Sequence, residues 1–106
     1  MDNSRGLSGK VIVITGGCGD IGAETTARLS SFCARVILFD LLSEDDGAAR
    51  APQLGAVAYK NVDQGHADEL QRATEQVVQE FHRLDIVIGN AAVGSGGRLL
   101  DLTARQ

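Results

Sequence analysis

Three glycines near the start of the chain could hold a phosphate group. Gly17, Gly19 and Gly22 follow the apolar, β-branched run 11–14 in the pattern Gly-x-Gly-x-x-Gly. Glycines at this spacing let the backbone approach a ligand closely, and the helix expected after them directs its free N–H groups and positive dipole end at an anion. The segment therefore predicts a phosphate cradle.

A carboxylate at the expected distance from the glycines indicates which ligand carries the phosphates. Asp40 ends the apolar run 36–39 and lies 18 residues beyond Gly22. A carboxylate about 20 residues past such glycines is placed to accept hydrogen bonds from a ribose 2′-hydroxyl, which is typical of a dinucleotide site. No Arg or Lys lies in the turn or just after Asp40 to hold a 2′-phosphate. These residues predict NAD, in preference to NADP, as a small-molecule dinucleotide cofactor.

The elements that must position these residues alternate along the chain, which at 106 residues is one domain at most. Apolar patterning predicts strands over 9–14, 36–39, 56–62 and 86–88. Helices are predicted over 21–32, from an N-cap at Ser43 to a stop before Pro52, and over 67–82. Apolar strands alternating with helices indicate parallel pairing in right-handed βαβ units. The predicted fold class is therefore α/β: a partial, Rossmann-like doubly wound parallel sheet of about four strands in the order 3-2-1-4.

Four segments, in this order along the chain, resemble the N-terminal half of the short-chain dehydrogenase/reductase family: 15–22, Asp40, 62–63 and 84–92. The resemblance covers nearly the whole chain. It implies the NAD-binding portion of an oxidoreductase that transfers hydride between nicotinamide and a carbonyl or secondary alcohol. It also implies that Asp40 selects NAD, that Asp63 holds the adenine amino group, and that Asn90 and Ala91 lie beside the cofactor.

The predicted cofactor-binding residues combine the motif and the resemblance. They are Thr15, Gly16, Gly17, Cys18, Gly19, Asp20, Ile21, Gly22, Asp40, Leu41, Asp63, Asn90, Ala91 and Ala92.

The glycine pattern leaves the branch of the family open. The reductase branch usually reads Thr-Gly-x-x-x-Gly-x-Gly, but here Asp20 takes the sixth position and a glycine falls earlier, at Gly19. The chain instead satisfies Thr-Gly-x-x-Gly-x-x-Gly, which is similar to the extended branch of sugar-nucleotide epimerases and dehydratases. Segments 81–85 and 90–91 look more like the reductase branch, although Gly89 and Ala92 replace its usual Asn and Gly. We favour a reductase; an epimerase or dehydratase fragment and a non-catalytic nucleotide-binding module are the alternatives.

No residue of the chain fits the catalytic role. Hydride transfer to a carbonyl needs a proton donor, which the family supplies with a Tyr-x-x-x-Lys pair assisted by Ser. The single tyrosine, Tyr59, is followed directly by Lys60 on a predicted strand, where neighbouring side chains face opposite ways. We therefore expect no catalytic residue, no substrate site and no activity from this chain alone. The expected organisation is a polar lead-in over 1–8 and an NAD-binding half-domain over 9–106, truncated before the catalytic region of a homo-oligomeric parent.

Charge and composition argue against other classes of partner. The net charge is −4, with no Lys/Arg cluster for nucleic acid or an acidic membrane surface. No apolar stretch approaches 18 residues, so we expect neither a signal peptide nor a membrane span, and a cytoplasmic location. Two cysteines and two histidines, without suitable spacing, predict no metal site.

Two acidic residues near the predicted cradle bear on cofactor affinity. Carboxylates of Asp20 and Glu24 stabilise a helix N-terminus through its dipole but would repel a pyrophosphate bound at the same end. We expect both side chains to point into solvent, where salt screens their repulsion.

Overall fold

The computed structural model describes residues 6–89, in which strands and helices alternate. The predicted site residues Asn90, Ala91 and Ala92 lie outside the described residues. The elements are β1 (Val11–Thr15), α1 (Asp20–Ser31), β2 (Arg35–Asp40), α2 (Glu44–Leu54), β3 (Ala58–Asn61), α3 (Ala67–Phe81) and β4 (Ile86–Gly89). No helix in the described range is both long and apolar enough to cross a membrane.

The four strands form one parallel sheet in the order β3-β2-β1-β4, which confirms the predicted fold class and strand order. Thr15 pairs with Phe39 on one side and Gly89 on the other, and Asp40 pairs with Asn61. Because all strands run the same way, their carboxyl ends share one edge of the sheet. The glycine turn after β1 and Asp40 at the end of β2 therefore meet at that edge.

The core lies on both faces of the two central strands, whose side chains alternate between the faces. One face carries Val11, Val13, Ile37, Phe39, Val62, Ala73 and Val77. The other face carries Ile12, Ile14, Ala34, Val36, Leu38, Ala51 and Tyr59. Burial on both faces explains why the runs 11–14 and 36–39 are continuously apolar.

The prediction that α2 ends before Pro52 is wrong, because the helix continues to Leu54. Proline removes the hydrogen bond to the carbonyl of Ala48, four residues earlier, and Ala48 lies on the exposed side of the helix, close to its end. The helix ends at Gly55, with φ 89°, where Gly55 N–H donates to Pro52 O at 3.1 Å and Ala56 N–H donates to Ala51 O at 2.9 Å. This is the left-handed termination that favours glycine. Since Ala56 takes part in it, β3 begins at Ala58 rather than at Ala56.

Gly47, inside α2, makes room for an aromatic ring. A Cβ atom at this position would lie 2.0 Å from Cε2 of Tyr59 on the neighbouring strand β3. From the sequence alone, Gly47 is a residue that weakens the predicted helix. The structure shows that the missing side chain lets α2 pack closely over Tyr59.

Candidate functional site

The glycine turn between β1 and α1 is anchored to the end of β2. Gly16 N–H donates to Phe39 O at 2.7 Å, and Gly17 N–H donates to the same oxygen at 3.4 Å. Helix α1 then begins after Gly19, whose carbonyl accepts from Ala23 N–H at 2.8 Å. No side chain caps this helix, so the backbone N–H groups of its first turn are available to an external acceptor.

The three motif glycines have different physical roles. A Cβ atom at Gly22 would lie 2.6 Å from Gly17 Cα, and one at Gly17 would lie 2.5 Å from Leu38 Cδ2. Both glycines are therefore required by the packing of α1 and the turn against the sheet. A Cβ atom at Gly19 would meet nothing closer than Gly16 O, at 3.8 Å, and Gly19 is exposed. The packing does not require glycine at position 19, and the open space above it faces solvent.

Asp40 connects the glycine turn to the loop that follows β2. Its Oδ2 accepts from Cys18 N–H at 2.9 Å, and its Oδ1 accepts from Leu41 N–H at 2.8 Å. Each carboxylate oxygen has a further lone pair for another donor. The side chain is half-buried at the sheet edge. The structure thus brings the two predicted halves of the site, the glycine turn and the acid, into direct contact.

Two large apolar side chains beside this contact are exposed to water. Ile21, in the first turn of α1, is 69% exposed, and Leu41, directly after Asp40, is 67% exposed. Such side chains are suited to contacting the flat faces of a ligand ring. Thr15, at the end of β1, donates from Oγ1 to Ile88 O at 3.4 Å and so links the glycine turn to the end of β4.

Asp63 lies two residues past β3 and shapes the turn that leads into α3. Its Oδ1 accepts from Gly65 N–H at 2.9 Å, its Oδ2 lies 3.5 Å from His66 Nε2, and its own N–H donates to Glu69 Oε1 at 2.8 Å. These contacts give Asp63 a structural role in the turn, in addition to the ligand contact predicted from the resemblance.

Asn61 was not identified from the sequence as a site residue. Its side-chain Nδ2 donates to Leu41 O at 3.2 Å and to Leu42 O at 2.7 Å. Leu42 O also accepts from Tyr59 Oη at 2.6 Å. The one signal in the sequence is its position at the end of a strand next to β2, and that signal has meaning only once the register is known.

Burial and nearby negative charge raise the pKa values of two groups in this region, the Cys18 thiol and the Tyr59 hydroxyl. The pKa of the Cys18 thiol is raised, mainly by burial and then by the charge of Asp40. The pKa of Tyr59 is also raised, first by burial and then by Cys18 and Asp40. Tyr59 therefore acts as a hydrogen-bond donor to Leu42 O, and neither group supplies a base. Asp20 and Glu24 are both exposed, as expected.

The parallel sheet, its strand order and the glycine turn define a Rossmann-like α/β domain. The family model of the short chain dehydrogenases matches residues 10–106. The chain is 37% identical over 91 residues to tropinone reductase-like 2 of Erythroxylum coca, covering 85% of this chain and 33% of that protein. It is 34% identical over 106 residues to the probable oxidoreductase EphD of Mycobacterium tuberculosis, covering 96% of this chain and 18% of that protein.

Solved structures show the same relationship. A short chain dehydrogenase from Mycobacterium smegmatis superposes with a TM-score of 0.73 at 29% identity, over 83% of this chain and 39% of that one. A double mutant of a Serratia marcescens short-chain dehydrogenase/reductase gives a TM-score of 0.72 at 34% identity, over 92% of this chain and 44% of that one.

The chain belongs to the short-chain dehydrogenase/reductase family. It spans about a third of the length of the first curated relatives, with 33% of one and 36% of another. These relationships do not favour the extended-branch alternative that the glycine pattern left open.

Proposed function

We propose that this chain is the NAD-binding portion of an oxidoreductase that transfers hydride between nicotinamide and a carbonyl or secondary alcohol. The observation that carries the proposal is the contact between Asp40 Oδ2 and Cys18 N–H, at 2.9 Å. The contact supports the proposal because it holds a carboxylate, which we propose as the acceptor for ribose hydroxyls, directly beside a glycine turn and an uncapped helix N-terminus. A dinucleotide carries both matching groups, a diphosphate and a ribose, at adjacent positions.

The space at Gly19 supports the fit of the diphosphate. Packing requires glycine at positions 17 and 22, whereas position 19 is exposed with room for a side chain. A ligand whose phosphate approaches the backbone accounts for a glycine there. In this proposal the first-turn N–H groups of α1 donate to the diphosphate, and Thr15, Gly16 and Cys18 line the turn.

The remaining predicted residues complete the proposed cofactor contacts. Asp40 accepts hydrogen bonds from the ribose hydroxyls and repels a 2′-phosphate, which favours NAD over NADP. Leu41 and Ile21 contact ligand rings, and Asp63 lies near the adenine. Asn90, Ala91 and Ala92, which lie outside the described residues, remain proposed cofactor contacts.

The chain's own residues bind and orient the cofactor, while bound NAD supplies the hydride chemistry. Tyr59 Oη donates to Leu42 O, and Lys60 Nζ lies 3.3 Å from Glu80 Oε2 on α3, so the two side chains serve opposite faces of the sheet. They form no proton-donating pair. We therefore propose that this chain alone does not turn over substrate. We further propose that the whole protein is a cytoplasmic homo-oligomer.

Nuclear magnetic resonance on the ¹⁵N-labelled chain tests the proposed site. Titration with NAD should shift the amide signals of residues 16–22 and 40–41 in a saturable way. An alcohol panel with NAD should give no NADH above the protein-free rate. Absence of saturable shifts, or saturable shifts confined to surfaces away from these residues, would contradict the proposed site. NADH formation would overturn the proposed inactivity of the chain.

A matched pair of variants separates cofactor contact from folding. Gly19→Val fits the extended backbone at this position, with φ −79° and ψ −179°, but fills the space above the turn. We expect it to weaken NAD binding at least about tenfold, the equivalent of about 1.4 kcal/mol. Ala27→Val, at an exposed position of the same helix, is the control and should bind NAD as the parent chain does. Equal affinity of the two variants would contradict the diphosphate position.

A further inference from the structure

The short loop between β2 and α2 is fixed by side chains of β3. Asn61 Nδ2 donates to Leu41 O and Leu42 O, at 3.2 and 2.7 Å, and Tyr59 Oη donates to Leu42 O at 2.6 Å. Two successive carbonyl groups therefore accept three hydrogen bonds from side chains of one neighbouring strand.

Asn61 also holds the far end of the same loop. Its backbone N–H donates to Oε2 of Glu44, the first residue of α2, at 2.9 Å. Side chain and backbone of this single residue thus contact both the beginning and the end of the connection between β2 and α2. The register places Asn61 opposite Asp40, so these contacts lie directly beside the acid.

A continuous set of hydrogen bonds leads from Asn61 to the glycine turn. Asn61 fixes the carbonyl of Leu41, and the N–H of Leu41 donates to Asp40 Oδ1 at 2.8 Å. The other oxygen of Asp40 accepts from Cys18 N–H at 2.9 Å. Both oxygens of the Asp40 carboxylate thus accept from backbone N–H groups, and one of these belongs to Leu41, whose carbonyl accepts from Asn61.

We propose that Asn61, assisted by Tyr59, is a positioning residue that sets the preference for an unphosphorylated ribose by fixing the Leu41–Leu42 backbone and, through it, the Asp40 carboxylate. This inference rests on the proposed NAD site. A carboxylate held in one orientation presents its charge where a 2′-phosphate would bind. When the loop relaxes, Asp40 rotates away, so the hydrogen bonds to ribose weaken and the repulsion of 2′-phosphate falls with them.

The experiment compares Asn61→Ala, Tyr59→Phe and the parent chain by calorimetric titration with NAD and with NADP. Asn61→Ala removes two of the three hydrogen bonds to the loop and should weaken NAD binding about three- to tenfold, because the Asp40 carboxylate is then held less firmly. It should also lower the affinity ratio of NAD to NADP. Tyr59→Phe keeps the Asn61 contacts and should change both quantities in the same direction by less.

Lys60→Ala is the matched control, because its side chain lies on the same strand and contacts Glu80 of α3. It should leave the NAD to NADP ratio unchanged, which separates the positioning role from a general loss of stability. If Asn61→Ala and Tyr59→Phe both leave the affinity ratio of NAD to NADP unchanged while the parent chain binds NAD, this inference is overturned. The proposed NAD site would then still stand. Failure of the parent chain to bind NAD would overturn the proposed site as well.

Amide hydrogen exchange provides a readout that needs no ligand and remains available if Asn61→Ala folds poorly. In Tyr59→Phe, the N–H groups of Leu41 and Cys18 should exchange at least about twofold faster, because both donate to a carboxylate whose position has loosened. Amides in the core of β1 should keep their parent rates. Unchanged exchange at Leu41 and Cys18 would contradict the proposed connection between the loop and Asp40.

Discussion

The carboxylate of Asp40 accepts a hydrogen bond of 2.9 Å from the backbone N–H of Cys18, 22 residues earlier in the chain. This contact joins the end of β2 to the glycine turn after β1. This hydrogen bond holds the turn in shape, and the same carboxylate is the acceptor proposed for the ribose.

Replacement of Asp40 by alanine should weaken NAD binding about ten- to hundredfold, since hydrogen bonds to a charged group contribute about 1.5–3 kcal/mol. A cycle with the NAD analogue that lacks the adenosine 2′-hydroxyl separates the two functions of Asp40. The parent chain should lose affinity for the analogue, whereas Asp40→Ala should bind NAD and the analogue equally. An equal penalty for the analogue in both chains would refute the ribose contact and leave Asp40 a purely structural role.

Gly47→Ala should destabilise the fold, although alanine is the better helix former by about 1 kcal/mol. The new Cβ atom would lie 2.0 Å from Cε2 of Tyr59, and forced overpacking typically costs about 1–3 kcal/mol. We expect a net loss of up to about 2 kcal/mol in the free energy of unfolding, measured by urea denaturation. Ala49→Gly, at an exposed position of the same helix, should lose about 1 kcal/mol from helix propensity alone. A gain in stability for Gly47→Ala would show that α2 does not pack over Tyr59 as described.

Asp85 should make stability depend on acid pH. Its carboxylate accepts from Arg83 Nε and Nη2, at 2.8 and 2.9 Å, and from Val11 N–H at 2.8 Å. These hydrogen bonds lower the pKa of Asp85 to about 2 in the folded chain, and the one from Arg83 has the largest effect. Because the folded-state pKa lies below the unfolded one, this contribution is complete above about pH 4 and is lost as the pH falls towards 2.

Urea midpoints measured from pH 7 down to about pH 2.5 test the role of Asp85. The parent chain should lose stability between about pH 4 and the acid limit, and Asp85→Asn should reduce that dependence. Arg83→Gln, which removes the largest cause of the shift, should give an intermediate dependence. Parallel curves for all three chains would count against the Asp85 contacts.

Cys33→Gly should stabilise the fold. Cys33 follows α1 with φ 67°, where its N–H donates to Ser30 O at 2.9 Å and the next N–H, of Ala34, donates to Leu29 O at 3.2 Å. This left-handed conformation costs residues with a side chain roughly 1–2 kcal/mol, and glycine avoids that cost. Part of the gain is offset because glycine makes the unfolded chain more flexible. We expect a net gain of about 0.5–1 kcal/mol in the free energy of unfolding. Ser31→Gly, still within the helix, is the control and should lower stability; a loss for Cys33→Gly would contradict the assigned helix end.

The strand order and the meeting of Asp40 with the glycine turn were predictable because they depend on local patterns. The runs 11–14 and 36–39 are apolar on both faces, and parallel strands bring their carboxyl ends to one edge. The roles of Asn61 and Gly47 were not predictable in this way, since each depends on which residues of neighbouring elements lie opposite. The end of α2 was not predictable from Pro52, because the proline lies near the end of the helix and the residue whose carbonyl loses its hydrogen bond, Ala48, is exposed.

Calorimetric titration of the chain with NAD, and separately with NADP, tests the central claim most directly. We expect saturable heat with NAD at one site per chain and affinity for NADP at least about tenfold weaker, since the Asp40 carboxylate repels a 2′-phosphate. No heat with either dinucleotide, or equal or tighter binding of NADP, would contradict it.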